Sequence, residues 1–375
     1  MLSLFAGCYP MNHTILIIGA GKSGRGFLPQ YIDSKDHILF VDKDEALIDK
    51  LEASKNYEIS FYGNTKPAKN IFNYQAYCAT QKNYQYCLTH CDMVAVSIGL
   101  EHYEELANNL KPYCHLLKDK AIVTFENGID VASKLQGFLG VEDIQISEGS
   151  IFCTTNTMHE IDIISQDICY LPIKNKALDQ IYLENVTPIE DFHLFMERKL
   201  YTYNLLSALF CYSGYLKGYK LLHEAALDIE IRKDAEDLMQ SLNPILADYF
   251  HVSLHDQQVF AQGAIDKFSN PFIQDSIQRN CRDVKRKLEA NERFMRPFVL
   301  LHQAQKDANI LLKSIAAALV YDEKEESKQG VRLLETMEID DKSYTIIKKY
   351  YTEYMQKSCN KPLQQADFEK EICKV

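Results

Sequence analysis

The feature that most constrains this chain is a strand that runs straight into a glycine turn. Thr14-Ile15-Leu16-Ile17-Ile18 is an apolar, β-branched run, and Gly19-Ala20-Gly21-Lys22-Ser23-Gly24-Arg25-Gly26 follows it without a spacer. A Gly-x-Gly-x-x-Gly run by itself arises by chance, but one that closes a buried-type strand and opens a helix has a physical purpose at each glycine. Gly19 permits a tight turn, Gly21 lets backbone come close to a pyrophosphate, and Gly24 allows the helix to pack against the strand. The amides of Lys22 and Ser23 at the helix start then face phosphate oxygens. A second run, His37-Ile38-Leu39-Phe40-Val41, ends in Asp42. An acid at that point accepts hydrogen bonds from ribose hydroxyls and repels a 2′-phosphate, which favours NAD over NADP, while the adjacent Lys43 softens the preference.

The strand–helix alternation continues. Glu45 to Leu51 has helical spacing, and Met93-Val94-Ala95-Val96-Ser97 and Ala121-Ile122-Val123-Thr124-Phe125 are continuous apolar runs suited to a sheet covered on both faces. Ser97-Ile98-Gly99 ends one such strand, where the crevice rule of open α/β sheets takes the loop past a bound nucleotide, so Ser97 and Gly99 join the cofactor candidates. Ile161 to Ile164 is a short strand that finishes or edges this domain. From Asp191 onward the periodicity is helical: Phe192 to Cys211, Tyr215 to Lys233, Ala235 to Tyr249, Arg293 to Leu312 and Tyr344 to Met355. The expected fold is an α/β N-terminal Rossmann domain, doubly wound on a mostly parallel sheet, over residues 1–188, and a mainly α-helical substrate domain over 189–375. The polar tail after Ser358 frays or docks as a last helix.

Composition narrows the partners. A net charge of −11 opposes binding to a nucleic-acid backbone. No apolar run reaches the roughly 20 residues that span a bilayer, and Met1 to Pro10 has no basic lead, so it reads as a short extension ahead of a second start at Met11. The 11 scattered cysteines, odd in number in a chain of 375 residues, fit reduced thiols in the cytoplasm.

Other clusters are weaker. Cys87, His90 and Cys91 lack the spacing and the second pair of a zinc site, and no metal is expected. His251 and His255, one helical turn apart, lack the glutamate of a zinc-protease motif. Lys285-Arg286-Lys287 with Arg293 and Arg296 has two readings, a bidentate phosphate site or a solvated helix face. His223 with Glu224 reads either as a substrate-orienting residue or as a structural histidine.

Glu197-Arg198-Lys199-Leu200-Tyr201-Thr202-Tyr203-Asn204-Leu205-Leu206-Ser207, with Gly214 to Tyr219 after it, resembles the signature helix of the polyol-specific long-chain dehydrogenases, whose pattern is Lys, four residues, Asn, two residues, His. The resemblance extends through Arg25-Gly26-Phe27, Glu126-Asn127, Phe268-x-Asn270-Pro271, Arg286-Lys287-Leu288 and Arg293. It implies metal-independent hydride transfer between NAD and a secondary alcohol of an open-chain polyol or its phosphate, of the mannitol-1-phosphate/fructose-6-phosphate type. Lys199 is then the general base, which requires its pKa to fall from about 10.4 toward 7–8. Asn204 and Asn127 hydrogen-bond the oxygen that gains charge, a contribution of roughly 10²–10³ in rate for such a donor. Glu126 and Asn127 lie beside the cofactor, and His223 and Arg293 beside the substrate.

This sequence departs from the family twice. Ser207 stands where the family has histidine, and Ile151-Phe152-Cys153-Thr154-Thr155 replaces a segment that usually carries an Asp-Arg pair. An alternative class therefore stays open: a nucleotide-binding relative with lost or redirected chemistry, a regulatory protein or an NAD-dependent epimerase. On an ideal helix Asn204 sits about 140° from Lys199, with Ser207 between them. The family resemblance also implies a monomer or weak oligomer.

Overall fold

The computed structural model describes residues 12–174 and 180–359. Met1 to Met11 and the tail from 360 onward lie outside the described residues. The chain divides into two compact units, one ending at Met196 and the other beginning at Glu197. That division lies beyond residue 188 because strand Val186–Ile189 still pairs in the main sheet of the first unit.

Among the described residues twelve strands build the first unit: β1 Thr14–Ile18, β2 His37–Asp42, β3 Tyr57–Phe61, β4 Lys69–Ile71, β5 Tyr74–Cys78, β6 Met93–Val96, β7 Ala121–Phe125, β8 Ile146–Gly149, β9 Thr155–Thr157, β10 Ile163–Ser165, β11 Leu171–Lys174 and β12 Val186–Ile189. Eight of them form one sheet in the order β12-β11-β8-β7-β6-β1-β2-β5. It is parallel from β8 to β5, and β11 meets β8 antiparallel. Alternate residues of each strand feed separate cores: Ile15, Ile17 and Phe40 pack with Phe27, Leu28 and Tyr31, whereas Leu16, Ile18 and Val41 pack with Tyr84, Leu88 and Leu106. Burial on both faces is why these strands read as unbroken apolar runs.

The segment Ile161 to Ile164 does not edge this sheet. β10 belongs to a second sheet, ordered β4-β3-β10-β9, in which it pairs parallel with β3. This small sheet lies against the helix that follows the glycine turn, Lys22–Gly26, so closely that a Cβ on Gly26 would overlap Ile163 Cγ2.

The second unit is helical. Leu205–Lys217 buries residues around its whole circumference, from Leu205 to Gly214, and Asn309–Glu325 does the same from Leu311 to Asp322. Helices buried on all sides lie at the centre of a bundle. Three expected helices are interrupted. Phe192 to Cys211 contains a π turn, described below. Tyr215 to Lys233 breaks at Gly218, whose φ of 84° ends Leu205–Lys217, and resumes as Leu222–Leu227 and then Ile229–Tyr249. Arg293 to Leu312 is two helices, Met295–Gln303 and Asn309–Glu325. The last helix, Asp341–Cys359, is longer than Tyr344 to Met355. Among the described residues no helix is long and apolar enough to cross a membrane.

Gly26→Ala places a methyl group in the occupied space at Ile163. We expect this to lower stability by about 1–3 kcal/mol, the usual range for overpacking, as measured by urea unfolding. Combining it with Ile163→Ala should cost less than the two single changes added together.

Candidate functional site

In the first unit a cavity of about 230 Å³ opens at the C-terminal ends of β1, β2 and β6. Its lining includes Gly19, Gly21, Asp42, Lys43, Ser97 and Gly99. The chain runs outward from β1 to β2 on one side and, after crossing back, outward from β6 to β7 on the other, so the strand order reverses between β1 and β6; that switch point is where open α/β sheets bind ligands. Glycine is required at the turn itself. Gly19 has φ 100°, and a Cβ there would overlap the Ser97 carbonyl, while one on Gly24 would overlap the Gly19 carbonyl. Gly21 has nothing within 4 Å of where its Cβ would be and lines the cavity. Its openness and the crowding at Gly19 and Gly24 match the three tasks of a dinucleotide turn.

Charged side chains outside the turn hold it. Asp42 Oδ2 accepts from the Ala20 amide at 2.6 Å and Oδ1 from the Asp44 amide at 2.9 Å. A carboxylate offers about four acceptor positions, so both oxygens keep capacity for ribose hydroxyls. Arg25, buried with 3% exposure, donates from Nη1 to the Ala20 carbonyl at 2.7 Å and from Nε to the Ile161 carbonyl at 3.0 Å. Burial lowers its pKa, opposed by the nearby Tyr57 and Asp42. The Tyr57 hydroxyl donates to the Arg25 carbonyl at 2.8 Å. Lys43 is turned to His102, with Nζ 3.3 Å from Nε2.

The other cofactor candidates do not line this cavity. Lys22 Nζ donates to Asn156 Oδ1 at 3.4 Å. Lys22, Ser23 and Gly24 precede the first helical bond, from the Arg25 amide to the Gly21 carbonyl at 2.9 Å, so their amides belong to the open helix start. Glu126 and Asn127 follow the C-terminal end of β7, where the Asn127 amide donates to Glu126 Oε1 at 2.9 Å.

In the second unit Lys199 is buried, and Asn204 and Ser207 are half-buried. The helix carrying them is not regular. Phe192–Lys199 passes into a π turn, Leu200–Asn204, before Leu205–Lys217, and the Leu205 amide bonds back to the Leu200 carbonyl five residues earlier. One residue is thereby inserted into the helical register. Asn204 becomes equivalent to i+4 from Lys199, about 40° away, and Ser207 to i+7, about 20° to the other side. The three residues share one stripe, which corrects the ideal-helix expectation of 140°. The spacing itself was the missed signal, since residues five apart share a face only when a turn contains an extra residue.

The remaining candidates are tied to their neighbours. His223 Nδ1 lies 3.3 Å from the Ile273 carbonyl, and Glu224 caps the Lys220 and Leu221 amides. Arg293 Nε donates to Glu292 at 3.1 Å, Arg286 reaches Asp283 and Glu292, and Arg296 lies beside the Tyr249 hydroxyl. Lys287 is buried over the Tyr212 ring, and burial lowers its pKa. Arg286 and Arg293 share Glu292. His251 has φ 54° and precedes the Ser253 cap of Leu254–Phe268, so it does not share a helix with His255. Cys87 and Cys91 pack in the core, and His90 Nδ1 lies 2.7 Å from the Tyr86 carbonyl.

Residues 191–374 match the family model described as mannitol dehydrogenase C-terminal domain, and residues 14–128 match one described as NADP oxidoreductase, coenzyme F420-dependent. A mannitol-1-phosphate 5-dehydrogenase from Caldanaerobacter subterraneus subsp. tengcongensis is 26% identical over 352 residues, covering 86% of this chain and 90% of the relative. Another from Buchnera aphidicola subsp. Schizaphis graminum is 27% identical, covering 82% and 86%. The solved structure of Pseudomonas fluorescens mannitol 2-dehydrogenase, a ternary complex with NAD and D-mannitol, is similar in fold with a TM-score of 0.66 at 15% identity, over 94% of this chain and 95% of that one.

Arg25→Met removes both donors and leaves two buried carbonyls without them. We expect a loss of about 2–3 kcal/mol in urea unfolding, against about 1 kcal/mol for Tyr57→Phe, which leaves the guanidinium in place.

Proposed function

Because this chain belongs to the polyol dehydrogenase family, we propose that it is an NAD-dependent oxidoreductase acting on a secondary alcohol of a polyol phosphate, of the mannitol-1-phosphate/fructose-6-phosphate type. The observation that carries the nucleotide half of this reading is the cavity against an open Gly21, closed by an Asp42 that keeps acceptor capacity. The amides at Lys22 and Ser23 serve the pyrophosphate, with Ser97, Gly99, Glu126 and Asn127 along the same nucleotide. Asp42 favours NAD over NADP by charge, and the pairing of Lys43 with His102 limits how far that cation offsets it.

When bound, NAD would supply the acceptor for the hydride that leaves the carbinol carbon of the substrate. Lys199 Nζ takes the proton of the substrate hydroxyl. Asn204 and Asn127 donate hydrogen bonds to the oxygen as it gains charge, and Ser207 Oγ fills the place of the family's histidine as a neutral donor or acceptor. The common stripe of Lys199, Asn204 and Ser207 supports this division of work. His223 and Arg293 are proposed at the substrate, Arg293 through whatever donors Glu292 leaves to it. The monomeric or weakly associated state implied by the resemblance and the cytoplasmic setting read from the cysteines belong to the same proposal. Eight described cysteines that are free thiols support a reducing compartment.

The test is oxidation of NADH against a panel of ketose phosphates and free ketoses, followed by absorbance; silence of well-folded protein across the panel would sink the reading. Lys199→Ala should lower kcat by about 10³-fold with NADH affinity unchanged, as befits removal of a general base. Ser207→Ala should cost about tenfold in kcat, the weight of one hydrogen bond. A gain of several orders of magnitude in Ser207→His would instead mark the wild type as a non-catalytic relative.

A further inference from the structure

A π turn is rare and has poorer hydrogen-bond geometry than the helix on either side, so it persists only where its surroundings favour it. Here the surroundings are one buried amide. Gln257, on the helix Leu254–Phe268, is fully buried. Its Oε1 accepts from Arg198 Nε at 2.7 Å, and its Nε2 donates to Thr202 Oγ1 at 3.1 Å and to Asn243 Oδ1 at 3.3 Å. Arg198 immediately precedes Lys199, and Thr202 lies within Leu200–Asn204, so a single side chain grips the helix just before the π turn and inside it.

The network is closed on its outer side as well. Arg198 pairs with Asp256 Oδ2 at 2.8 Å, donates to the Asp256 carbonyl at 3.1 Å, and lies over the Phe260 ring at 4.3 Å. Arg198, Thr202 and Asn243 are all buried. Buried polar groups that lose a partner stay unsatisfied, so such a network holds one arrangement firmly or fails as a unit. Relaxation of the π turn to a regular helix would swing Asn204 from about 40° to about 140° from Lys199.

We infer that Gln257 is a positioning residue for the reaction, fixing the π turn that brings Lys199, Asn204 and Ser207 onto one stripe. This rests on the roles proposed above for Lys199 and Asn204. The loss of a side-chain amide that touches neither substrate nor nucleotide then reaches the chemistry through register alone.

The experiment compares Gln257→Leu, Gln257→Glu, Thr202→Val and the double variant Gln257→Leu/Thr202→Val, with fructose 6-phosphate and NADH as probes. Gln257→Leu is expected to lower kcat by about a hundredfold, in line with the sensitivity of rate to small misplacements, while the Kd for NADH stays within about twofold. Amide hydrogen exchange across residues 198–206 should rise by about tenfold as the turn loosens. Gln257→Glu keeps the acceptor for Arg198 and can accept from the Thr202 hydroxyl, so it should retain activity within about tenfold of wild type. Thr202→Val should lose kcat as Gln257→Leu does, and the double variant should be no worse than either single one. Thr202→Val carries the test alone if Gln257→Leu does not fold. Native kcat in Gln257→Leu or Thr202→Val, or losses that add in the double variant, would overturn the inference. Retained activity in Lys199→Ala would overturn the reading beneath it, so the two failures are distinct.

Discussion

The backbone of Ala20 is the point on which the nucleotide side of this protein depends. A turn made of glycines has no side chains to hold its own shape, and glycine has the largest conformational freedom to lose. Here Asp42 takes the Ala20 amide and Arg25 takes the Ala20 carbonyl, so two opposite charges hold the two successive peptide units that flank one residue. Asp42 arrives from the neighbouring strand, while Arg25 is anchored in turn at Ile161, in the hairpin between β9 and β10. The small sheet is thus part of the device that shapes the turn, and its close approach to Gly26 is the packing counterpart of the Arg25 bond.

The second unit solves a similar problem by similar means. Its important segment is also irregular, a π turn in place of a glycine turn, and it too is held by buried polar side chains of distant sequence. Gln257 and Asn243 come from helices Leu254–Phe268 and Ile229–Tyr249, and what they stabilise is register rather than mere helicity. In both units the residues expected to meet ligands keep unusual geometry because side chains distant in sequence enforce it.

Much of the fold could be read from local pattern. The runs at Thr14, His37, Met93 and Ala121 became central strands because a doubly covered sheet demands apolar residues on both faces. The position of Asp42 could be read for the same kind of reason, since it closes the apolar run of β2. The small sheet could not be read, because β9 and β10 are three residues each and β3, the parallel partner of β10, lies about a hundred positions away in sequence, a separation at which propensity says nothing about pairing. The breaks at Gly218 and between Gln303 and Asn309 were hidden because apolar spacing continued across them.

The sequence by itself determined which residue types stand at the turn, at the end of β2 and along the Lys199 helix, because those demands are local: a glycine where φ is positive, an acid where hydroxyls must be bound, a lysine and an asparagine at a family spacing. Only the tertiary structure decided that Asn204 and Ser207 share a stripe with Lys199, and that Arg25 is a buried brace rather than a surface cation. Both outcomes rest on hydrogen bonds between residues far apart in the chain, formed where water is excluded, and an unsatisfied group there costs more than the strain of an irregular turn.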